Sequence, residues 1–177
     1  MRRLALFAAA ALLLGLPAAA QTPTPAAPVT VNFAGGDGSA RGTATLTPGP
    51  NGVLIRLAVT GLTPGWHGIH LHKVGLCEGP GFTNAGSHVN SGAMQHGLMN
   101  AMGAEDGDLP NIHADAAGAV VAEMLASKVS LAGEGGRTAL RDADGSAIVI
   151  HAMPDDLTTP PIGGSGGRVA CAAIPKG

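Results

Sequence analysis

The chain is 177 residues long, close to charge balance at a formal net charge of −2, and only 2% aromatic, with no Tyr. Lacking a basic patch with interleaved aromatics, it is not built to hold nucleic acid, and Val, Ile, Leu and Ala must fill its interior. That length suits one domain with a real core.

Met1-Arg2-Arg3 puts two positive charges ahead of an apolar run from Leu4 to about Leu16, and Pro17-Ala18-Ala19-Ala20 supplies small residues in an Ala-x-Ala pattern. This order predicts a secretory signal peptide over 1–20; the run is short for a membrane span, and a retained anchor is the competing reading. Nothing after it is apolar enough to span a bilayer, so the mature chain is expected to be soluble and periplasmic or secreted. Gln21 to Pro28 (QTPTPAAP) reads as a flexible or extended leader, and 29–177 as the single domain.

Short strands follow. Val29, Val31 and Phe33 alternate with polar residues, as do Ala40, Gly42, Ala44 and Leu46. Val53 to Thr60, Gly118 to Leu125, Lys128 to Leu131, Ser146 to His151 and Arg168 to Ile174 are further candidates, separated by Gly, Pro, Asn and Asp turns. With 28 glycines and no sustained helical period, the fold class is all-β, a sandwich or barrel. Lys73 to Asp115 and Ala152 to Gly167 break the rhythm, and long patternless loops in a compact domain are usually functional. Two cysteines, Cys77 and Cys171, in an exported chain suggest one disulfide. It would close a loop of roughly 95 residues and contribute about 4–5 kcal/mol at most.

The chemistry concentrates in histidine. In His67-Gly68-Ile69-His70-Leu71-His72, strand alternation puts His70 and His72 on one face and Ile69 and Leu71 on the other, toward the core. Two imidazoles at i and i+2 on a strand are a ready pair of metal ligands, whereas His67 reads as a structural histidine. His88 and His96 follow, then Glu105 and Asp108, and His151 ends the strand Ala147–His151. Together they form a His-rich constellation, and imidazole suits copper and zinc.

In order and spacing the mature chain resembles the copper/zinc superoxide dismutase family. The resemblance rests on HGIHLH (67–72), the H-x7-H-G of His88 to Gly97, GDLPN (107–111), GSAIVIHAMPDDL (145–157), GGRVACAAI (166–174) and the two cysteines. It implies an eight-stranded Greek-key barrel with two long functional loops. It implies copper at His70, His72, His88 and His151, with His88 bridging to a zinc held also by His96 and Asp108. It further implies that Arg168 holds the superoxide anion and that Asp155 links His70 to His96. Cys77 and Cys171 would form the family disulfide, pinning the long loop to the strand that carries Arg168.

One position departs from the family. Glu105 stands where a third zinc histidine is expected. Zinc accepts carboxylate oxygen, but a second carboxylate leaves the site with one net negative charge. Three readings stay open: Glu105 binds zinc, the site is weak or empty, or Asp106 or His113 substitutes; His113 by itself reads as a turn or surface residue. Met94, Met99 and Met102 surround His96. Thioethers favour Cu(I), which allows a copper-loading patch, but loop packing by adaptable methionines is the preferred reading.

The resemblance implies disproportionation of superoxide to dioxygen and hydrogen peroxide at the copper site, with copper as cofactor, zinc left open by Glu105, and a homodimer left open as well. The loop 152–167 contains Asp155 and Asp156 but no Lys, so attraction of substrate is expected to fall to Arg168 and Lys73 and to be weak. A non-catalytic copper-binding or buffering protein on the same scaffold is the alternative. Retention of Arg168 argues against it, since a buffer has no use for an anion-holding arginine.

Overall fold

The structure is a computed structural model describing residues 27–177; the expected signal peptide (1–20) and all but the last two residues of the expected leader (21–28) lie outside the described residues. The chain runs through β1 (Val29–Gly35), β2 (Ala40–Gly49), β3 (Gly52–Val59), β4 (Gly65–His67), β5 (Ile69–His72), β6 (Ile112–Ala114), β7 (Val120–Ala126), β8 (Val129–Ser130), β9 (Thr138–Ala139), β10 (Ser146–His151) and β11 (Arg168–Ile174). Two single 3-10 turns, Thr83–Ala85 and Glu134–Gly136, are the only helical pieces among the described residues. The all-β expectation stands.

Seven strands form one sheet in the order β5-β10-β11-β1-β2-β3-β7, with antiparallel neighbours throughout. The eight-strand count is met differently: the remaining short strands pair as β4–β6, antiparallel, and β8–β9, parallel. The strand expected through His67 and His72 is interrupted at Gly68. β6 and β9 lie where no strand was expected, because two or three residues carry no legible alternation.

The sheet curls so that inner faces from both of its ends share one core. Val31, Phe33, Leu46, Ile55, Ile69, Leu71, Ile148 and Ile150 all belong to it. Each such aliphatic contributes about 1.5–3 kcal/mol when fully buried. On β10 the opposite face is also covered: Ala147 and Val149 pack with Phe82, Ala85 and Cys171 under the loop that begins at Cys77. A disulfide joins Cys77 to Cys171, fastening that loop to β11.

This alternation positions the site. Ile69 and Leu71 enter the core, so His70 and His72 emerge on the outer face beside Val149 and Ala147, their cross-strand partners. β5 is an edge strand, and loop segments complete its pairing: Leu71 N donates to Gly107 O, and Val89 N to Leu71 O. Gly107 runs so close that a Cβ there would collide with Leu71 O. The loop therefore delivers His88 and Asp108 next to His72 and His70, which they face across single antiparallel bridges.

Candidate metal centre

Four imidazoles meet on the outer face of β5 and β10. His70, His72, His88 and His151 are all buried and each offers a ring nitrogen within 4.8 Å of the others. One nitrogen of each ring is committed. His70 Nε2 lies 2.8 Å from Asp155 Oδ2, His72 Nδ1 donates to Gly86 O at 2.9 Å, His88 Nδ1 to Glu105 Oε2 at 2.7 Å, and His151 Nδ1 to Gly166 O at 3.1 Å. The opposite nitrogens, His70 Nδ1, His72 Nε2, His88 Nε2 and His151 Nε2, are buried without a partner. A buried polar atom left unpaired costs about 1–3 kcal/mol, so four of them converging is an arrangement completed by a cation. The outer hydrogen bonds fix which nitrogen faces inward. Burial, helped by the neighbouring imidazoles and Arg168, pushes His72 down to about 2 and His151 to about 3; His70 is lowered too, first by burial. All three are therefore neutral, ligand-ready imidazoles near neutrality. The donor set fits copper.

Beyond His88 lies a second group. His96 Nδ1 sits 2.7 Å from Asp108 Oδ1 and 3.4 Å from Glu105 Oε2; His88 Nδ1 sits 2.7 Å from Glu105 Oε2 and 3.4 Å from Asp108 Oδ1. Two imidazole nitrogens and two carboxylate oxygens thus face one point, a combination that zinc accepts. His70, His88, His96 and Asp108 also stand within 4.8 Å of one another, but His70 Nε2 is committed to Asp155, so Glu105 is the better fourth member. Asp108 is pre-set, its Oδ2 accepting the backbone N–H groups of Gly97 and Glu105. Burial opposes charge on His96, but Asp108 and Asp155 outweigh it and raise the ring to about 10; His88 is raised by the same balance with Asp108 and Glu105. Asp108 and Asp155 are correspondingly held well below the usual carboxylate range by these histidines, against burial. Raised histidines and lowered carboxylates together mark a position that calls for a cation.

Asp155 stands between the two groups, 2.8 Å from His70 Nε2 and 3.0 Å from His96 Nε2. Arg168 opens β11 opposite His151. Its guanidinium donates to Phe82 O at 2.6 Å and Gly86 O at 2.7 Å, inside the loop that the disulfide secures. Gly86 O also accepts from His72, so Arg168 and His72 share one anchor. His67 is a structural residue, its ring nitrogens 2.7 Å from His151 O and 2.8 Å from Thr63 O. Lys73 lines a 340 Å³ cavity that reaches His88 and Glu105.

Three expectations need correction. Asp106 does not substitute at the second group; it accepts from Ser91 and Thr138. Nor does His113, which is a surface residue as expected of it alone, exposed on β6 and 5.0 Å edge-to-face from Trp66. Met99 and Met102 are largely exposed and Met94 is partly so, which leaves less packing than the preferred reading of these methionines expects. Sequence reasoning also missed two asparagines. Asn90 donates to Glu105 Oε1 at 3.0 Å, and Asn111 brackets the backbone of Asp155 with both ends of its amide. Asn111 lies in the GDLPN motif, which was the available signal; Asn90 had none.

Residues 40–174 match the family described as copper/zinc superoxide dismutase (SODC). A Cu-Zn superoxide dismutase of Caulobacter vibrioides is 55% identical over 140 residues, covering 78% of this chain and 80% of its own. A superoxide dismutase-like protein of Bacillus subtilis has a crystal structure with a TM-score of 0.78 at 36% identity, covering 82% of this chain and 97% of that one. The Cu/Zn superoxide dismutase of Brucella abortus superposes with a TM-score of 0.67 at 28% identity, over 83% and 99% of the two chains.

Proposed function

The chain belongs to the copper/zinc superoxide dismutase family, and from that premise we propose that it disproportionates superoxide with copper held by His70, His72, His88 and His151 and zinc by His88, His96, Asp108 and Glu105. The observation that carries this is the set of four buried, unpartnered imidazole nitrogens converging on the outer face of β5 and β10. Bound copper supplies the one-electron redox chemistry that converts two superoxide anions and two protons to dioxygen and hydrogen peroxide.

The chain's own residues do the rest. Arg168, always charged, holds the anion beside His72 and His151, its side chain aimed by Phe82 O and Gly86 O. His88 would hold a proton at Nε2 when that nitrogen is free and give it up to the departing peroxide, its ring fixed by the Nδ1 hydrogen bond to Glu105. Asp155 keeps the His70 and His96 rings oriented, and the disulfide-tied loop shields one side. The Cys77–Cys171 bridge, together with the pattern of residues 1–20, supports a periplasmic or secreted location. Among the described residues no helix is long and apolar enough to cross a membrane.

Elemental mass spectrometry after loading with both metals and desalting tests the reading. One copper and one zinc per chain is the expected result. Copper without zinc removes Glu105 from the ligand set, and no retained copper overturns the enzymatic reading.

A further inference from the structure

Of the methionines in the described residues, Met124 packs partly against the core. Met94, Met99 and Met102 are 40%, 75% and 63% exposed. Burial of such a side chain is worth about 1.5–3 kcal/mol, so three of them within nine residues forgo a good part of that stabilisation and packing alone accounts poorly for them. Nor are they on a loose segment. Met94 N donates to Asn90 Oδ1 at 3.0 Å, Met99 N to Leu157 O at 2.8 Å and Met102 N to Asn100 Oδ1 at 2.9 Å. Gln95 N donates to Met102 O at 3.1 Å, closing the segment on itself. A hydrogen-bonded backbone thus presents three partly exposed methionines on one loop.

We propose that Met94, Met99 and Met102 form a surface capture site for cuprous ion, separate from the four-histidine cluster. Thioether sulfur is a soft, uncharged donor that selects Cu(I) over the hard cations that carboxylates take. The flexible side chain lets donors from a small loop converge on one ion. The placement suits a copper enzyme, and the proposal rests on that reading of the chain. Asn90 Nδ2, which donates to Met94 O, also donates to Glu105 Oε1, and Asn100 Nδ2 donates to His96 O. A 160 Å³ cavity lined by Leu98, Glu105 and Asp108 lies next to the segment. An ion taken up at the thioethers is therefore held on the same loop that carries the ligands of the metal centre.

Methyl NMR decides the matter. Metal-loaded protein carrying 13C-methyl methionine and kept reduced is titrated with Cu(I) acetonitrile, its resident copper having been measured beforehand. We expect the methyl signals of Met94, Met99 and Met102 to shift together as a further equivalent of Cu(I) is retained, with Met124 and exposed Met153 unmoved. Met94→Leu/Met99→Leu/Met102→Leu keeps apolar bulk but removes sulfur, and should lose that equivalent while keeping its resident copper. Retention by the triple variant, shifts at Met153 alone, or no further retention by the wild type would each overturn the proposal. Absence of resident copper at the outset is a separate failure, that of the enzymatic reading.

Discussion

Glu105 is the residue on which the second metal position turns. Its carboxylate reaches both His88 and His96, so Glu105→Ala should lower zinc affinity by more than the roughly 10–100-fold typical of an outer-shell loss, with copper content unchanged; competitive zinc chelation measures this. Asp155→Asn leaves size intact but removes the charge shared by His70 and His96, and both metals should bind about 10–100-fold more weakly in the same titration. The metal-free protein should show a stability maximum near neutral pH. His96, raised from 6.5 to about 10, contributes stability that is complete below 6.5 and fades as pH climbs toward 10. His72 and His151, depressed to about 2 and 3, are protonated only in the unfolded chain between those values and 6.5, so acidification destabilises. Thermal melts of the metal-free protein should therefore fall on both sides of about pH 6.5, and a monotonic profile would contradict the assignment. His70 and His72 were legible from strand alternation alone. Whether Glu105 could reach the ring nitrogens was not, because its pose depends on Asn90 and on a loop closure fifteen residues long in sequence.

At the level of elements, β1, β2 and β3 were readable from sequence because one face of each meets the core and period two survives. β10 and β11, covered on both faces, were readable as short apolar runs preceded by glycine. β6 and β9 were not, since Ile112–Ala114 and Thr138–Ala139 exist only through partners supplied by the fold. The loop from Cys77 joins stability to chemistry. Its disulfide closes a span of 94 residues, and its carbonyls at Phe82 and Gly86 aim Arg168. Cys77→Ser should cost up to about 4–5 kcal/mol in urea denaturation and also weaken the competition of small anions with superoxide. A stability loss with unchanged anion competition would show that Arg168 is aimed by β11 alone.

For the molecule as a whole, the charge distribution sets how substrate arrives. The formal charge is −2, and the loop 152–167 offers acidic residues and no basic one. Arg168 spends two of its N–H groups on backbone carbonyls. Arg41, on a cavity shared with Arg168, is paired with Asp37, and Lys128, near Glu105, stands against Asp106. That leaves Lys73, exposed and beside a cavity that reaches His88, as a nearby cation without an acidic partner at hand. Field steering of an anion by so little positive charge is weak, so the second-order rate constant should change little with ionic strength in stopped-flow measurements. A steep fall with salt would mean that a positive field is assembled elsewhere on the surface. Net charge and loop composition gave this much from sequence, whereas the shared anchoring of Arg168 and His72 on Gly86 O needed three dimensions.

The same loop segments that bring His88 and Asp108 to the metal also cover the outer edge of β5. An uncovered edge strand is a template for pairing with another chain. Metal loading thus bears on colloidal behaviour as well as on chemistry: each ion that tightens the loop also keeps the end of the sheet from recruiting a neighbour. Molecules that lack their metals would be the ones prone to clump, making metal supply a condition of solubility.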